Sequence, residues 1–196
     1  MLRCPTATIV CLGSGPSLTP EDIAACRRAS CLFLAVNDTY QLVPDAMALF
    51  AGDRKWWGWH LDALKHAGLK YMFGPCSDHR LGAVTKLHCT GPQGLESDPT
   101  GLRHGGHSGY AAINLAAHFS PKRILLLGYD LQPAANGDSH YFGEHPDASH
   151  PRWTMWRDRY ATLLDPLRAL GIALVNCSRA TAITAVPRLS LEVALG

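Results

Sequence analysis

The strongest constraint on the fold is a regular alternation of short apolar runs with longer helix-like stretches. The runs are rich in aliphatic and β-branched residues, and this alternation is typical of a mostly parallel sheet with helices on its faces. Strands are predicted at residues 7–12, 31–36, 46–51, 70–74, 123–128 and 172–176. Helices are predicted at residues 53–66, 108–119 and 152–170, with a first helix that Thr19 caps and a short one at the C-terminus. The pattern predicts a single Rossmann-like α/β domain over residues 1–196.

Length and composition agree with one soluble domain. The chain has 196 residues, which is enough for one compact core and short for two, and it contains no run of about 18 apolar residues that would predict a membrane span. The seven cysteines are odd in number, several lie in strand-like runs, and no secretory signal accompanies them. A disulfide framework is therefore not expected, and the predicted compartment is the reducing cytoplasm. The formal charge of +2 is too small to indicate nucleic acid by itself.

Two stretches break the alternation, at residues 75–107 and 131–151. Both contain several glycines, prolines and histidines, with no clear helical or strand period. Loops of this length in a compact domain are usually functional, because surface loops on a rigid scaffold are where binding and catalytic residues concentrate. We therefore predict that residues 131–151 form an active-site lid.

The sequence LGSGPSL at residues 12–18 joins the first predicted strand to the first predicted helix. Without side chains, Gly13 and Gly15 let backbone N–H groups approach a phosphate, and the helix N-terminus adds partial positive charge. The motif lacks the third glycine of the dinucleotide fingerprint and the Gly-Lys-Ser/Thr of a Walker loop. It predicts a nucleotide-phosphate site, with a plain strand-to-helix turn as the alternative.

Six short blocks of sequence stand out along the chain. They are LGSGPSL (12–18), AVNDTY (35–40), HSGYAAINLA (107–116), RILLLGYDLQ (123–132), SHYFGEH (139–145) and VNCS (175–178). In this order they resemble blocks of a superfamily that joins bacterial CMP-sialic-acid sialyltransferases with 6-hydroxymethylpterin diphosphokinase-like (DUF115-type) proteins. The resemblance covers roughly residues 7 to 190 and is closest to the uncharacterised phage-type members.

The resemblance implies a donor or nucleotide site built from the glycine loop, the end of the second strand and the start of the 108–119 helix. Its residues are Gly13, Ser14, Gly15, Pro16, Ser17, Asn37, Asp38, His107, Ser108 and Gly109. Ser14 stands where family members usually have asparagine, and its hydroxyl can still donate a hydrogen bond. Two structural alternatives stay open, since Asn37 and Asp38 can form a turn and Ser108 can cap its helix.

The block SHYFGEH is implied to carry the chemistry. In the sialyltransferases a histidine of this block is the general base on the acceptor hydroxyl, and His145 is its closest match. One inserted residue, Glu144, makes His140 the alternative base, and both can also be surface-loop histidines. In the diphosphokinase-like relatives the counterpart of Asp130 would hold Mg²⁺, which is commonly bound by one or two carboxylates plus phosphates.

Aromatic side chains are candidates for the acceptor side of the site. Trp56, Trp57 and Trp59 follow a predicted strand, and together they exceed what one helix face can bury. Trp56 and Trp57 are therefore predicted as acceptor contacts, together with Tyr141. A subunit interface or a base-stacking platform is the alternative for the tryptophans.

Histidines and cysteines in the 75–107 stretch raise the question of a metal. The residues with zinc-ligand side chains are Cys76, His79, His88 and Cys89. A strand-like alternation points the adjacent His88 and Cys89 to opposite faces, so no metal site is predicted. His104 and His107 lie three residues apart beside the expected pocket, which favours anion binding there.

Together these features predict a glycosyltransferase that moves a sugar from a nucleotide-sugar donor to an acceptor hydroxyl, with a histidine as general base and no cofactor or metal. The alternatives are a Mg²⁺-dependent diphosphokinase of the 6-hydroxymethylpterin type that uses ATP, and a nucleotide- or nucleic-acid-binding module, for example in phage DNA modification. The expected partners are a nucleotide or nucleotide-sugar and an acceptor, with nucleic acid among the candidates. No membrane partner is expected, and a homo-oligomer is allowed.

Overall fold

A computed structural model describes residues 3–143 and 152–196 as a layered α/β structure. The described residues form an eight-stranded sheet in the order β6-β5-β4-β3-β2-β1-β7-β8, and all neighbouring strands are parallel. The strands are β1 (Thr8–Leu12), β2 (Leu32–Val36), β3 (Ala48–Phe50), β4 (Leu69–Phe73), β5 (Thr85–Gly91), β6 (Gly101–Arg103), β7 (Arg123–Leu127) and β8 (Ala173–Asn176). The predicted Rossmann-like α/β fold is confirmed.

Helices cover both faces of this sheet. They are α1 (Pro20–Arg28), α2 (Arg54–Trp59), α3 (Ser108–His118), α4 (Trp153–Arg159), α5 (Ala161–Ala169) and α6 (Leu191–Leu195). Side chains alternate across the pleat of β1, so Ile9 packs in a core with α3 and α5, whereas Val10 packs in a second core with α1, α2 and α6. Burial on both faces explains why the central strands are continuous apolar runs rather than alternating ones.

The order of the strands defines where a ligand can bind. From β1 the chain moves outward through β2 to β6, then returns to place β7 on the other side of β1 and continues to β8. The connections after β1 and β7 therefore leave in opposite directions, which opens a crevice at the carboxyl ends of these two strands. In open α/β sheets such a switch point is the usual place for a ligand.

Several elements differ from the sequence-based prediction. The predicted 53–66 helix is the short α2 followed by a 3-10 helix at Leu61–Lys65, and the predicted 152–170 helix is divided into α4 and α5 at the buried Tyr160. The 75–107 stretch, predicted as an irregular loop, contains β5 and β6. Of the predicted lid, residues 144–151 lie outside the described part, and with them His145.

Two further findings concern the whole described chain. None of its helices is long and apolar enough to cross a bilayer. All seven cysteines carry free thiols, in agreement with the prediction that the chain lacks a disulfide framework.

Candidate functional site

A cleft of about 970 Å³ opens at the carboxyl edge of the sheet, over the switch point between β1 and β7. This volume is in the range of pockets that take small molecules and cofactors. Of the residues predicted for the site, the cleft is lined by Gly13, Ser14, Gly15, Asn37, Trp56, His107, Ser108, Gly109 and His140. Six other predicted site residues are not part of its lining: Pro16, Ser17, Asp38, Trp57, Asp130 and Tyr141.

The glycine loop after β1 packs directly against the loop after β7. The N–H of Gly13 donates to Leu127 O and that of Gly15 donates to Gly128 O, both at 2.8 Å. A Cβ atom on Gly13 would lie 2.6 Å from Gly128 O, and one on Gly15 would lie 2.4 Å from a carboxylate oxygen of Asp130. The two glycines are thus needed because another loop of the same chain approaches this backbone, and their N–H groups are engaged there.

Asp130 is part of the same contact. Its carboxylate accepts the backbone N–H of Ser17 at 2.8 Å and the Ser17 hydroxyl at 2.7 Å, and the side chain is buried. Burial raises the pKa of Asp130, while the two hydrogen bonds from Ser17 oppose that rise. The carboxylate that the resemblance relates to Mg²⁺ therefore joins the glycine loop to β7.

The N-terminus of α3 is arranged differently. His107 is the N-cap residue and its side chain makes no capping hydrogen bond to the helix, so the first-turn N–H groups are not satisfied by the usual side-chain cap. Ser108 is the first residue of the helix rather than its cap, and its hydroxyl accepts the N–H of Gly52 at 3.3 Å. Both Ser108 and Gly109 face the cleft.

His107 lies in an aromatic setting beside this helix end, near the positive charge of Arg159. Its Nε2 lies 3.2 Å from the Tyr160 hydroxyl, and its ring packs against Trp156 with 5.1 Å between ring centroids. Burial, and secondarily the positive charge of Arg159, lowers the pKa of His107 to about 3. The pKa of His104 is lowered for the same two reasons. His107 is therefore neutral near pH 7.

Arg159, at the end of α4, is half-buried and brings a positive charge under the turn that precedes α3. Its Nη1 is buried and has no hydrogen-bond partner among the described residues, while Nη2 contacts the Met155 sulfur at 3.4 Å. A Cβ on Gly106, which has φ +98°, would lie only 3.0 Å from that Nη1. Buried polar groups without partners are rare in folded proteins. Positive potential from Arg159 and from the helix dipole thus coincides at this wall of the cleft.

Within the predicted lid, His140 and Tyr141 bond to the glycine loop after β1. His140 Nδ1 lies 2.9 Å from the Ser14 hydroxyl, and the N–H of Tyr141 donates to Ser14 O at 2.9 Å. The Tyr141 hydroxyl donates to Asp38 O at 3.1 Å, and the His140 ring stacks on Phe142. These contacts hold the imidazole of His140 at the edge of the cleft.

The tryptophans after β3 have separate positions. Trp56 lines the cleft, and its indole N–H donates to the Asp38 carboxylate at 3.0 Å. The other Asp38 oxygen pairs with His60 at 2.9 Å, and the His60 ring stacks on Trp56. Trp57 is fully buried, whereas Trp59 lines the cleft and is 47% exposed. Asp38 thus positions the aromatic side chains of Trp56 and His60 and does not itself line the cleft.

Metal ligands do not cluster in the described part of the chain. No group of three or more histidine, cysteine, aspartate or glutamate side chains is placed to hold an ion there, which includes Cys76, His79, His88 and Cys89. The sequence did not single out Tyr129, whose hydroxyl donates to Gly109 O at 3.0 Å, or the cleft residue Trp156. It also gave no role in the site to Arg159, because the turn before α3 becomes its neighbour only in the folded chain.

Comparison with protein-family models, with curated proteins and with solved structures found no match for this chain. The family resemblance of its sequence blocks therefore stays a prediction. The parallel sheet of the described residues, with helices on both faces, defines a Rossmann-like α/β fold with one large cleft at its switch point.

Proposed function

We propose that this protein transfers a glycosyl group from a nucleotide-sugar donor to an acceptor hydroxyl. The observation that carries the proposal is the sharing of one cleft by a histidine held by Ser14 and by a helix N-terminus backed by the half-buried Arg159. Glycosyl transfer needs these two functions close together, a base for the acceptor and a stabiliser for the departing phosphate.

The phosphates of the donor are assigned to the N-terminus of α3. First-turn N–H groups without a side-chain cap, the Ser108 hydroxyl and the charge of Arg159 all favour an anion at that wall. The glycine loop after β1 supports this less well, because the N–H groups of Gly13, Gly15 and Ser17 already donate to protein oxygens. Its part is to form the floor of the cleft and to orient Ser14.

His140 is the described residue best suited to act as the base. In the tautomer that donates from Nδ1 to the Ser14 hydroxyl, the lone pair is on Nε2, which can accept the acceptor proton. The acceptor oxygen then attacks the anomeric carbon as the bond from that carbon to the phosphate oxygen breaks. The nucleotide leaves with its negative charge at the N-terminus of α3. His145, which the resemblance gives as the closest match to the family base, is the second candidate for this role.

The diphosphokinase alternative has less support from the geometry. It would use Asp130 to hold Mg²⁺, and both oxygens of that carboxylate face Ser17 at hydrogen-bonding distance. A metal-independent transfer needs no contact of Asp130 other than its hydrogen bonds from Ser17. The predicted cytoplasmic location fits an enzyme that uses soluble nucleotide-sugars.

The first test is a thermal-shift panel of CMP, UDP, GDP, ADP, ATP and sugar nucleotides, each with Mg²⁺ and with EDTA. A ligand at 100 times its Kd adds about 2.7 kcal/mol to the free energy of unfolding. We expect stabilisation by a sugar nucleotide in EDTA, and release of free nucleotide from it on incubation. Stabilisation by ATP only with Mg²⁺ would replace the transferase by the diphosphokinase, and binding without any product would leave a binding module.

The role of the base is tested with His140→Gln on the donor that the panel identifies. We expect the turnover rate to fall by about 100-fold or more while the affinity for donor changes little, because general-base catalysis contributes at least that factor. His79→Gln, an exposed loop histidine away from the cleft, is the matched control. Unchanged turnover in His140→Gln would mean that His140 is not the general base, and that role would then be assigned to His145.

A further inference from the structure

A pair of cysteines meets at the C-terminal end of α1, away from the cleft. Ser30 has φ +55°, its N–H donates to Arg27 O, and the N–H of Cys31 donates to Cys26 O, both at 3.0 Å. These are the two hydrogen bonds and the left-handed residue of a Schellman motif, which brings the side chains of its third-last helical residue and of the second residue after the cap into contact. In this chain those two side chains are Cys26 and Cys31.

The two thiols differ in protonation. The hydrogen bond from the Cys26 thiol lowers the pKa of Cys31 to about 7, with burial opposing and Arg123 assisting. The same hydrogen bond, together with burial, raises the pKa of Cys26. Near pH 7 Cys31 is therefore partly ionised, while Cys26 keeps its proton.

Access to the pair is also unequal. Cys31 is partly exposed, at the start of β2, whereas Cys26 is fully buried in the core under α1. An oxidant from solvent can thus reach Cys31 first, and Cys26 lies behind it. Reactive cysteines are typically thiolates in partly exposed, electropositive positions, and redox sensors often have a second cysteine next to them.

We propose that Cys26 and Cys31 form a peroxide-sensitive dithiol that closes to a disulfide within the Schellman motif. The Cys31 thiolate attacks one oxygen of hydrogen peroxide, and the O–O bond breaks to give a sulfenic acid and hydroxide, which takes up a proton. The Cys26 sulfur then attacks the Cys31 sulfur, and the sulfenic oxygen leaves with the Cys26 proton as water. In sum two thiols are oxidised and one peroxide is reduced to two waters.

The backbone supports closure of this bond. The main-chain hydrogen bond from the Cys31 N–H to Cys26 O, at 3.0 Å, holds the two residues next to each other, which favours the short separation that a disulfide needs. The pair lies at the amino-terminal end of β2, whereas the cleft lies at the opposite edge of the sheet, at the carboxyl ends of the strands. The inference is independent of the proposed transferase function.

The test is oxidation of the folded protein with equimolar hydrogen peroxide at pH 7, followed by thiol blocking and tryptic mapping without reductant. Because trypsin cuts after Arg27 and Arg28, a Cys26–Cys31 disulfide joins fragments 4–27 and 29–54, and tandem mass spectra distinguish Cys26 from Cys4 and Cys11. We expect this joined pair to be the first product, with loss of two thiols and full recovery in dithiothreitol. Oxidation of exposed Cys89 before any joined pair forms would overturn the proposal.

Two variants and one measurement on the unaltered protein complete the test. Cys26→Ser should leave a sulfenic acid on Cys31 that dimedone labels, and Cys89→Ser should oxidise like the unaltered chain. If Cys26→Ser fails to fold, the alkylation rate of Cys31 against pH in the unaltered protein decides. A midpoint near 7 and a rate at pH 7 roughly tenfold above that of Cys89 support a thiolate at Cys31, whereas a midpoint above 8 would refute it.

Discussion

The loop after β1 and the turn before α3 are both rich in glycine and both face the same cleft, yet they use their glycines for different contacts. In the first, Gly13 and Gly15 make room for the loop after β7, and their N–H groups are bonded to it. In the second, Gly106 makes room for Trp156 and Arg159, and the helix end beside it has no side-chain cap. A glycine in the sequence thus indicates that another part of the protein lies close to its backbone, but it does not identify that part.

The difference has an energetic meaning. The loop after β1 is bonded within the protein, because the N–H groups of Gly13, Gly15 and Ser17 and the Asp130 carboxylate are paired. Among the described residues, the buried Nη1 of Arg159 beside the turn before α3 has no hydrogen-bond partner, which costs stability in the free protein. Such a cost is typical of a binding site, where the ligand supplies the missing partner.

The largest expected effect is that of Gly15→Ala. Its Cβ would lie 2.4 Å from a buried Asp130 oxygen and 2.6 Å from Gly128 O, so the two loops must separate. We expect a loss of about 3 kcal/mol in the free energy of unfolding, measured by urea denaturation without ligand. Gly58→Ala is the control, because nothing lies within 4 Å of its Cβ and alanine favours the helix by about 0.5–1 kcal/mol. Unchanged stability in Gly15→Ala would mean that the loop is a phosphate cradle after all.

A pH dependence of stability is expected from the turn before α3. The pKa of His107 is about 3 in the folded protein against 6.5 ordinarily, so between these values the unfolded chain binds more protons. Stability is therefore full above about pH 6.5 and falls as the pH decreases toward 3. We expect unaltered protein to lose about 2 kcal/mol between pH 7 and pH 5 relative to His107→Gln, measured by urea denaturation. Parallel curves would show that His107 is solvated in the folded state.

Asp130→Asn tests the internal pairing of the loop after β1. The two hydrogen bonds from Ser17 go to different oxygens of Asp130, and an asparagine replaces one of these oxygens by an NH2 donor, although relief of a buried charge offsets part of the loss. We expect a decrease of about 1 kcal/mol in the free energy of unfolding at pH 7. Nucleotide affinity should be equal with and without Mg²⁺. A more stable variant that has lost Mg²⁺-dependent nucleotide binding would assign the carboxylate to a metal.

The smallest effect on stability is expected for Arg159→Met, with its main consequence in ligand binding. Arg159 is half-buried and its Nη1 has no hydrogen-bond partner among the described residues, so its removal should leave the free protein as stable or slightly more stable. The affinity for the sugar nucleotide that stabilises the unaltered protein should fall about tenfold, about 1.4 kcal/mol, measured by isothermal titration calorimetry. Arg168→Met, an exposed arginine paired with Asp165 on α5, should bind normally. Equal affinities of the two variants for the sugar nucleotide would show that the anion does not bind at the turn before α3.

The sequence predicted the parallel α/β fold well, because the central strands are apolar runs long enough to stand out. It did not place β5 and β6 among the predicted strands, although the alternation at His88 and Cys89 is strand-like, because Thr85–Gly91 is largely exposed and polar and β6 has only three residues. The break between α4 and α5 was also missed, since Tyr160 is compatible with a helix and only its packing against His107 identifies it.

Within the site, local motifs indicated which residues lie near the cleft, but they did not indicate the hydrogen-bond partners of these residues. Ser14, Ser108 and His140 line the cleft as expected, since each follows or precedes a strand or helix that ends at that edge. The bond between Asp130 and Ser17 joins residues 113 apart, and no local pattern reports such a pair. Arg159 looks like one of several helix-surface arginines until folding places it under a glycine turn.

The position of β1 between β2 and β7 also affects how the chain emerges from the ribosome. β1 pairs with β2 soon after synthesis, but Arg123, which contacts Thr8 across the pair of β1 and β7, follows 115 residues later. At the usual pace of translation that interval is on the order of 10 s, during which the largely apolar β1 of the nascent chain has one open edge. The cleft, which needs both strands, is therefore among the last parts to exist.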